Sequence, residues 1–143
     1  MILFSSALEP VLENTIIMNK LIIDAASKKI FLMIITKDDV YNITKENTKI
    51  NYEKLTLIVQ NFLNSKNLKL EDITKIYVNR GPGSFAGIRN SLSLVKALNV
   101  ARKIDYYCYS FSDFKYQKDI KYENIPNLGD KFKIKKNLIK PIY

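Results

Sequence analysis

A glycine-rich loop carries the residues whose types and spacing could do chemistry. Between a strand-like and a helix-like stretch the sequence reads Arg80-Gly81-Pro82-Gly83-Ser84-Phe85-Ala86-Gly87-Ile88-Arg89. Pro82 fixes its own φ, whereas Gly81 and Gly83 permit backbone angles that other residues avoid. Ser84 can cap the next helix, whose first N–H groups favour an anion, and Arg89 projects near the same end. We predict an assembly or phosphate-facing loop, not a catalytic site, formed by Gly81, Pro82, Gly83, Ser84, Phe85, Gly87 and Arg89.

Two nucleotide-binding motifs resemble this loop, and both fit poorly. A P-loop needs G-x-x-x-x-G-K-[ST], but Gly83 and Gly87 are too close together and Arg89 is not the required lysine. A dinucleotide-binding fingerprint is matched at the glycines, but its acidic residue should end the next strand. Asp105 instead begins that strand, so this interpretation is also disfavoured.

The chain contains no histidine and one cysteine, Cys108. The missing histidine excludes zinc hydrolases of the HExxH type and hydrolases with Ser-His-Asp or Cys-His machinery. A carboxylate-only magnesium site remains open. Because Cys108 lies in the apolar run Tyr106–Phe111, we predict a buried, inert thiol, and a single cysteine fits a reducing compartment.

The net charge of +9 is unevenly distributed. Residues 115–143 hold eight lysines against three acids, which places +5 in this segment, and the arginines Arg80, Arg89 and Arg102 lie in or near the loop and its helix. A functional interpretation is contact with nucleic acid or an acidic partner. The alternative is compositional bias toward lysine, asparagine and isoleucine.

The elements that must position the loop form one domain, for which 143 residues suffice. Apolar runs predict strands at Lys20–Asp24, Ile30–Thr36, Val40–Thr44, Lys75–Asn79 and Ile104–Ser110, and apolar periodicity predicts helices at Asn51–Ser65 and from Ser84 or Ala86 to about Arg102. After these come a helix capped by Ser112, a polar and turn-rich stretch at 118–130, and one more strand within Lys131–Tyr143. This order predicts an α/β fold with a mixed sheet, as in a ribonuclease-H-like lobe.

The segment Arg80–Arg89 closely resembles RGPGSFTGLR, the signature of the bacterial TsaB (YeaZ) family, with Ala86 for threonine and Ile88 for leucine. The similarity covers residues about 19–115 and the last few. The other segments that carry it are Leu21–Ala26, similar to the opening strand LxIDTS/A, Leu55–Leu63, similar to the first helix, and Pro141-Ile142-Tyr143, similar to the C-terminal P-[LI]-Y.

The resemblance implies an actin/Hsp70-like (ASKHA) fold and a role in making threonylcarbamoyladenosine in tRNA, next to the anticodon. It implies a non-catalytic, cytoplasmic protein that partners a TsaD-like transferase, with a TsaE-like ATPase joining and tRNA reached through the complex. A homodimer is an alternative assembly, and no membrane contact is expected. The chain should need no cofactor or metal of its own, with ATP or ADP bound only in the assembled complex.

Three departures from the family pattern favour a scaffold. About 25 polar residues replace the usual second lobe, Asn51 stands where the family often has histidine, and Ala25 removes a threonine hydroxyl. We therefore divide the chain into an extension at 1–17, a TsaB-like lobe at 18–117 and a short basic segment at 118–143. The extension is interpreted as preceding a start at Met18, with a short amphipathic helix as the alternative.

Three functions stay open. In the first, the two predicted helices form the interface with the transferase, and Leu57, Leu94 and Val100 remain outside the core. In the second, the chain is a basic tRNA-binding accessory protein, whose contacts are Lys131–Lys140 and Tyr106, Tyr107, Tyr109, Tyr116 and Tyr122. In the third it is a peptidase or an ATPase, for which we can place no protease machinery.

Overall fold

A computed structural model of the protein describes residues 18–143, so the predicted extension at 1–17 lies outside the described residues. Its centre is one five-stranded sheet with the order β3-β2-β1-β4-β5. The strands are β1 (Asn19–Asp24), β2 (Lys29–Ile35), β3 (Val40–Glu46), β4 (Ile73–Asn79) and β5 (Asp105–Tyr109). β1, β2 and β3 form an antiparallel meander, whereas β4 is parallel to both β1 and β5. The predicted mixed sheet is confirmed.

The burial of each strand follows its sequence. β1 lies at the centre and is covered on both faces, which explains its unbroken apolar run Leu21–Ile23. β3 lies at an edge and is largely exposed, and its half-buried Tyr41 and Ile43 alternate with the exposed Asn42 and Thr44. Neighbouring residues of the sheet serve two cores, because Leu21 and Ile23 face one cluster while Ile22 faces the other.

The first core lies under the three helices that cover one face of the sheet. They are α1 (Lys49–Glu53), α2 (Leu55–Ser65) and α3 (Phe85–Arg102). The predicted single helix over Asn51–Ser65 is wrong in detail, because Thr48 caps an earlier short helix and the chain breaks at Lys54. The apolar face predicted for the second part is present, with Leu55, Val59, Phe62 and Leu63 buried.

The second core covers the opposite face, beneath residues that follow β5. The polar stretch predicted at 118–130 in fact contains a 3₁₀ turn at Tyr122–Asn124 and a helix, α4 (Ile125–Lys131). Ile125 is fully buried there with Tyr77 and Phe114, and Leu128 packs against the same cluster, so a few apolar residues dock this short helix. The helix predicted from Ser112 is a 3₁₀ turn instead, because Ser110 provides the cap.

The strand predicted within Lys131–Tyr143 does not form. A single bridge joins Lys136 to Tyr107 of β5, and Asn137 exchanges two hydrogen bonds with Tyr106. Lys133 and Asn137 both have positive φ angles, which interrupt the extended backbone that a strand requires. Within residues 18–143, no helix has the length and apolar composition needed to cross a bilayer.

Candidate functional site at the glycine loop

The glycine loop leaves the carboxyl end of β4 and is fixed there by side-chain and backbone hydrogen bonds. The Gly81 N–H donates to Oδ1 of Asn79 over 2.8 Å. Gly81 has a φ of 111°, and a Cβ at this position would collide with the carbonyl oxygen of Ile142. The positive φ angle and the lack of room for a Cβ both require glycine at this position. The loop therefore packs closely against the segment that ends in Tyr143.

The loop also lies directly on the turn that joins β1 to β2. The Ser84 N–H donates to the carbonyl oxygen of Ala26 over 2.7 Å. A Cβ at Gly87 would collide with the carbonyl oxygen of Ala25, which already accepts a 2.8 Å hydrogen bond from Asn47. Backbone therefore packs on backbone across this contact, and the start of α3 is held close to the sheet.

The cap predicted at Ser84 is present, since its Oγ accepts from the Gly87 N–H over 3.1 Å. The N–H groups of Ser84 and Gly87 are thus both satisfied within the chain. An anion at this helix start would have to bind other donors, so phosphate contact at the loop stays a prediction. Pro82, between the two glycines, follows a cis peptide bond and lies at the surface.

Phe85 and Arg89 lie at the mouth of the loop, where both side chains are exposed. The Phe85 ring lies 4.5 Å from the Tyr143 ring, measured between centroids. A cavity of about 380 Å³ opens beside them, toward α1, and is lined by Tyr52, Glu53, Phe85, Ala86, Arg89, Asn90 and Ser93. The structure therefore brings Phe85 and Arg89 together at one surface beside α1, whereas Gly81 and Gly87 are buried.

A buried carboxylate that our sequence reasoning did not select lies behind the loop. Asp24, at the end of β1, is 3% exposed. Its Oδ1 accepts from the Ala26 N–H over 3.0 Å, and its Oδ2 accepts from the Asn79 amide over 3.1 Å and from the Tyr122 hydroxyl over 2.6 Å. Burial, and then the charge of Asp24, raise the pKa of Tyr122. The signal in the sequence was an acid that ends an apolar strand.

Arg80 connects the loop to the end of the described chain. Its guanidinium group binds both carboxylate oxygens of Asp113, at 2.6 and 3.2 Å, and donates to the carbonyl oxygen of Lys140. Its own carbonyl oxygen accepts from the Ile142 N–H over 2.7 Å. Because both charged side chains are mostly buried, this bidentate pair is a structural clamp rather than an open anion site.

Two of the three residues predicted to stay outside the core are exposed, and the third is buried. Leu57 on α2 and Val100 on α3 are exposed, as predicted. Leu94 is buried, so the prediction that it lies at an external surface is wrong. α3 packs on the sheet through a broad buried face. This face includes Ser91, Val95 and Leu98, and it is wide enough to bury Leu94 as well. Ile50 on α1, which we did not select, is exposed.

The predicted tyrosine contacts and the cysteine also have defined positions. Tyr106 and Tyr109 are buried in the sheet, whereas Tyr116 is 98% exposed and its ring is available for contact. Tyr107 and Tyr122 are half-buried. Cys108 is buried, as predicted, and burial raises the pKa of its thiol to about 11. Within residues 18–143 no three side chains of the metal-binding types cluster to hold an ion.

Comparison with known proteins agrees with the loop motif. The family model of TsaD, the tRNA N6-adenosine threonylcarbamoyltransferase, matches residues 45–110. No curated protein sequence matches the chain significantly. YeaZ from Pseudomonas aeruginosa superposes with a TM-score of 0.60 at 19% identity, covering 65% of this chain and 44% of that one.

A second solved structure, of an uncharacterised protein with similarity to the peptidase YeaZ from Pseudomonas aeruginosa, gives a TM-score of 0.61 at 18% identity. The match covers 71% of this chain and 49% of the other. The chain thus spans about half the length of the structures it matches. The fold of these relatives, the match to the TsaD model and the loop motif agree: the chain is similar to TsaB/YeaZ proteins, and it has the ribonuclease-H-like α/β fold of the YeaZ structures.

Proposed function

We propose that the protein is a non-catalytic scaffold subunit in the synthesis of threonylcarbamoyladenosine in tRNA. In this role it binds and supports a TsaD-like transferase, and a TsaE-like ATPase joins the assembly. The proposal extends the family resemblance, which rests on the loop Arg80–Arg89 and on the match of the TsaD model to residues 45–110. Nucleotide, if any is bound, belongs to the complex and not to this chain alone.

The observation that carries the proposal is the apolar surface of the helical layer. Ile50 on α1, Leu57 on α2 and Val100 on α3 are 68%, 50% and 71% exposed. A single exposed aliphatic residue is ordinary. Here each of three successive helices on one face of the sheet presents one, while α2 and α3 bury an apolar face, which includes Val59 and Val95, in the first core.

The occupant we infer for this surface is a chain with a related fold. The matching family model is that of the transferase itself, and the matched residues include α1, α2, β4, α3 and β5. Two chains that share these elements can pair their helical layers about an approximate two-fold axis, with equivalent helices meeting in the interface. An apolar interface between helical layers is therefore the arrangement that best uses Ile50, Leu57 and Val100.

The carboxyl ends of β1 and β4 support the non-catalytic part of the proposal. Ligands of open α/β sheets bind beyond the carboxyl ends of the strands. In this chain Asp24 and Asn79 occupy those ends. Asp24 accepts hydrogen bonds from Asn79 and Tyr122, and Asn79 in turn accepts one from Gly81. Side chains that already satisfy one another serve to fix the loop, which favours a structural role.

Co-purification with the TsaD-like subunit of the same organism tests the scaffold. We expect the wild-type chain to form a stable complex and Leu57→Asp with Val100→Asp to abolish it. Val40→Asp is the matched control, because Val40 is an exposed aliphatic residue on β3, outside the helical layer. All variants should keep the wild-type circular dichroism spectrum.

Two results would contradict the proposal. One is a wild-type chain that does not associate with the transferase, or a complex that is weakened equally by Val40→Asp. The other is a chain that by itself hydrolyses ATP or modifies tRNA. Stimulation of tRNA modification only when TsaD-like and TsaE-like proteins are also present would support the scaffold over an enzyme.

A further inference from the structure

A cavity of about 280 Å³ lies beside the Arg80–Asp113 clamp, away from the mouth of the glycine loop. We refer to it as the basic cavity. Its lining combines four lysines, Lys115, Lys133, Lys135 and Lys140, with the hydroxyl-bearing Ser112 and with the apolar or aromatic residues Cys108, Phe132, Ile134 and Leu138. The cationic side chains are exposed, whereas Phe132 and Ile134 are half-buried.

The positive charge of the basic cavity is not balanced within the described chain. Asp113 is the one acid in the lining, and it is paired with Arg80. Across residues 18–143, none of the four lysines makes an ion pair, whereas the nearby Lys136 pairs with Asp105. Four like charges around one cavity repel one another, so an anion that bridges them would be bound favourably.

The fold brings these lysines together from separate stretches of sequence. Lys133 and Lys135 follow α4, and Lys140 is fixed where its carbonyl oxygen accepts from the Arg80 guanidinium group. Lys115 comes from the loop after β5, about 20 residues earlier in the chain. The clustering is therefore a property of the folded chain and not only of a lysine-rich stretch of sequence.

An exposed aromatic residue follows one of these lysines in the sequence. Tyr116 directly follows Lys115, is 98% exposed, and has a φ of 66°, which places it on a sharp surface turn. Stacking of bases on such rings, beside a positively charged groove that tracks the backbone, is the usual way in which proteins bind single-stranded nucleic acid. An acidic protein surface would use the lysines but would gain little from an isolated exposed ring.

From this combination we propose that the basic cavity binds the phosphodiester backbone of a single-stranded polynucleotide, with Tyr116 as a stacking platform for a base. The inference adds a binding surface to the scaffold role and does not depend on it, because the cavity belongs to this chain alone. It also corrects the tyrosine set of the tRNA-binding hypothesis, since Tyr106 and Tyr109 are buried and Tyr116 carries the ring contact.

Fluorescence anisotropy with the full chain and a labelled 12-nucleotide single-stranded RNA tests the proposal over a range of KCl concentrations. If four lysines each neutralise one phosphate, log K should fall against log salt with a slope of about −3, at about −0.7 per phosphate. Lys115→Gln with Lys135→Gln should make the slope shallower by about 1.4 and weaken binding about 25-fold near 100 mM salt.

The matched control is Lys37→Gln with Lys45→Gln. These two lysines are exposed at the β3 side of the sheet, opposite β5, and their replacement lowers the net charge by the same amount. We expect wild-type affinity and slope from this control. Equal losses in the two double variants would mean that only overall charge matters, and would overturn the proposal.

Two further arms test the ring and the strand. Tyr116→Ala should weaken binding about fivefold or more, whereas Tyr116→Phe should bind like wild type because it keeps the stacking surface. Comparing the affinities for DNA and RNA of the same sequence distinguishes a site that contacts only the phosphodiester backbone from one that also contacts the ribose. Either result is consistent with the proposal. The proposal would be overturned if the wild-type chain bound a 12-base-pair duplex or a poly-glutamate peptide as tightly as the single-stranded RNA. It would also be overturned if the Tyr116→Ala variant bound the RNA as tightly as wild type.

Discussion

The hydroxyl group of Tyr122 donates a 2.6 Å hydrogen bond to Oδ2 of Asp24, although 98 residues separate them in the sequence. The Tyr122 ring also stacks on Phe31 of β2, with 3.9 Å between centroids. These two contacts fix the segment before α4 to the centre of the sheet. Asp24 in turn holds Asn79, which positions Gly81, so the second core and the glycine loop are linked by hydrogen bonds.

Tyr122→Phe should therefore destabilise the fold while keeping the ring packing. A hydrogen bond to a charged group contributes about 1.5–3 kcal/mol, and the bond from Asn79 to Asp24 remains in the variant. We expect a loss of about 2 kcal/mol in the free energy of unfolding, measured by urea denaturation near neutral pH. An unchanged free energy of unfolding would show that Asp24 does not depend on this hydroxyl group.

The same pair predicts a dependence of stability on alkaline pH. The pKa of Tyr122 is raised in the folded protein, whereas in the unfolded chain it lies near 10. Above about pH 10 the unfolded chain releases this proton first, so the stability present below that pH is lost as the pH rises. The Tyr122→Phe variant should lose less stability than wild type between about pH 9 and pH 11.

The comparison with Tyr122→Phe is needed because Tyr77 and Tyr109 are also buried with raised pKa values. Their contributions are common to both proteins and cancel in the difference. Parallel losses of stability in the two proteins across this pH range would contradict the assignment to Tyr122.

Gly81→Ala and Gly129→Ala should have opposite effects. At Gly81 the positive φ and the collision with Ile142 predict a loss of more than about 1 kcal/mol and displacement of the segment that carries Tyr143. At Gly129, inside α4, a Cβ would make an ordinary contact with Tyr77 at 3.4 Å, and alanine should stabilise by about 0.5–1 kcal/mol. Thermal unfolding measures both, and a stable Gly81→Ala protein would refute the close approach.

Cys108 should react slowly with thiol reagents in the folded protein. With a pKa of about 11, roughly one thiol in a thousand is ionised at about pH 8, compared with about one in ten for a thiol at the ordinary value of 9.0. Burial slows access further. We expect labelling by iodoacetamide at least about 100-fold slower than in the urea-unfolded chain. Similar rates in the two states would mean that the thiol is neither buried nor shifted.

The sequence predicted the sheet well because its strands are marked by apolar composition. β1, β2 and β4 are enclosed by helices or turns on both sides, so runs such as Leu21–Ile23 indicate their positions without ambiguity. The strand-to-helix turn was equally readable, since glycine, proline and a serine cap each have a local physical role. These features depend on neighbours in sequence.

The parts that could not be predicted depend on distant contacts. Ile125 docks α4 because it packs in one cluster with Tyr77 and Phe114, and the contact between Tyr122 and Asp24 joins residues that lie 98 positions apart in the sequence. The wrong prediction that Leu94 lies outside the core has a related reason. The width of the α3 face that is buried is decided by the sheet and by α2, and helical periodicity alone does not give it.

The hydrogen bonds between Asn137 and Tyr106, and the bridge from Lys136 to Tyr107, occupy backbone groups along the outer side of β5. An uncovered strand at this position would be a template for pairing with another chain, and therefore a starting point for aggregation. The basic segment covers this edge of β5. Its positive φ angles interrupt the extended backbone, so the segment itself cannot pair with another strand. Association through continued sheet is thereby discouraged on this side, so β3 is the edge of the sheet that remains exposed.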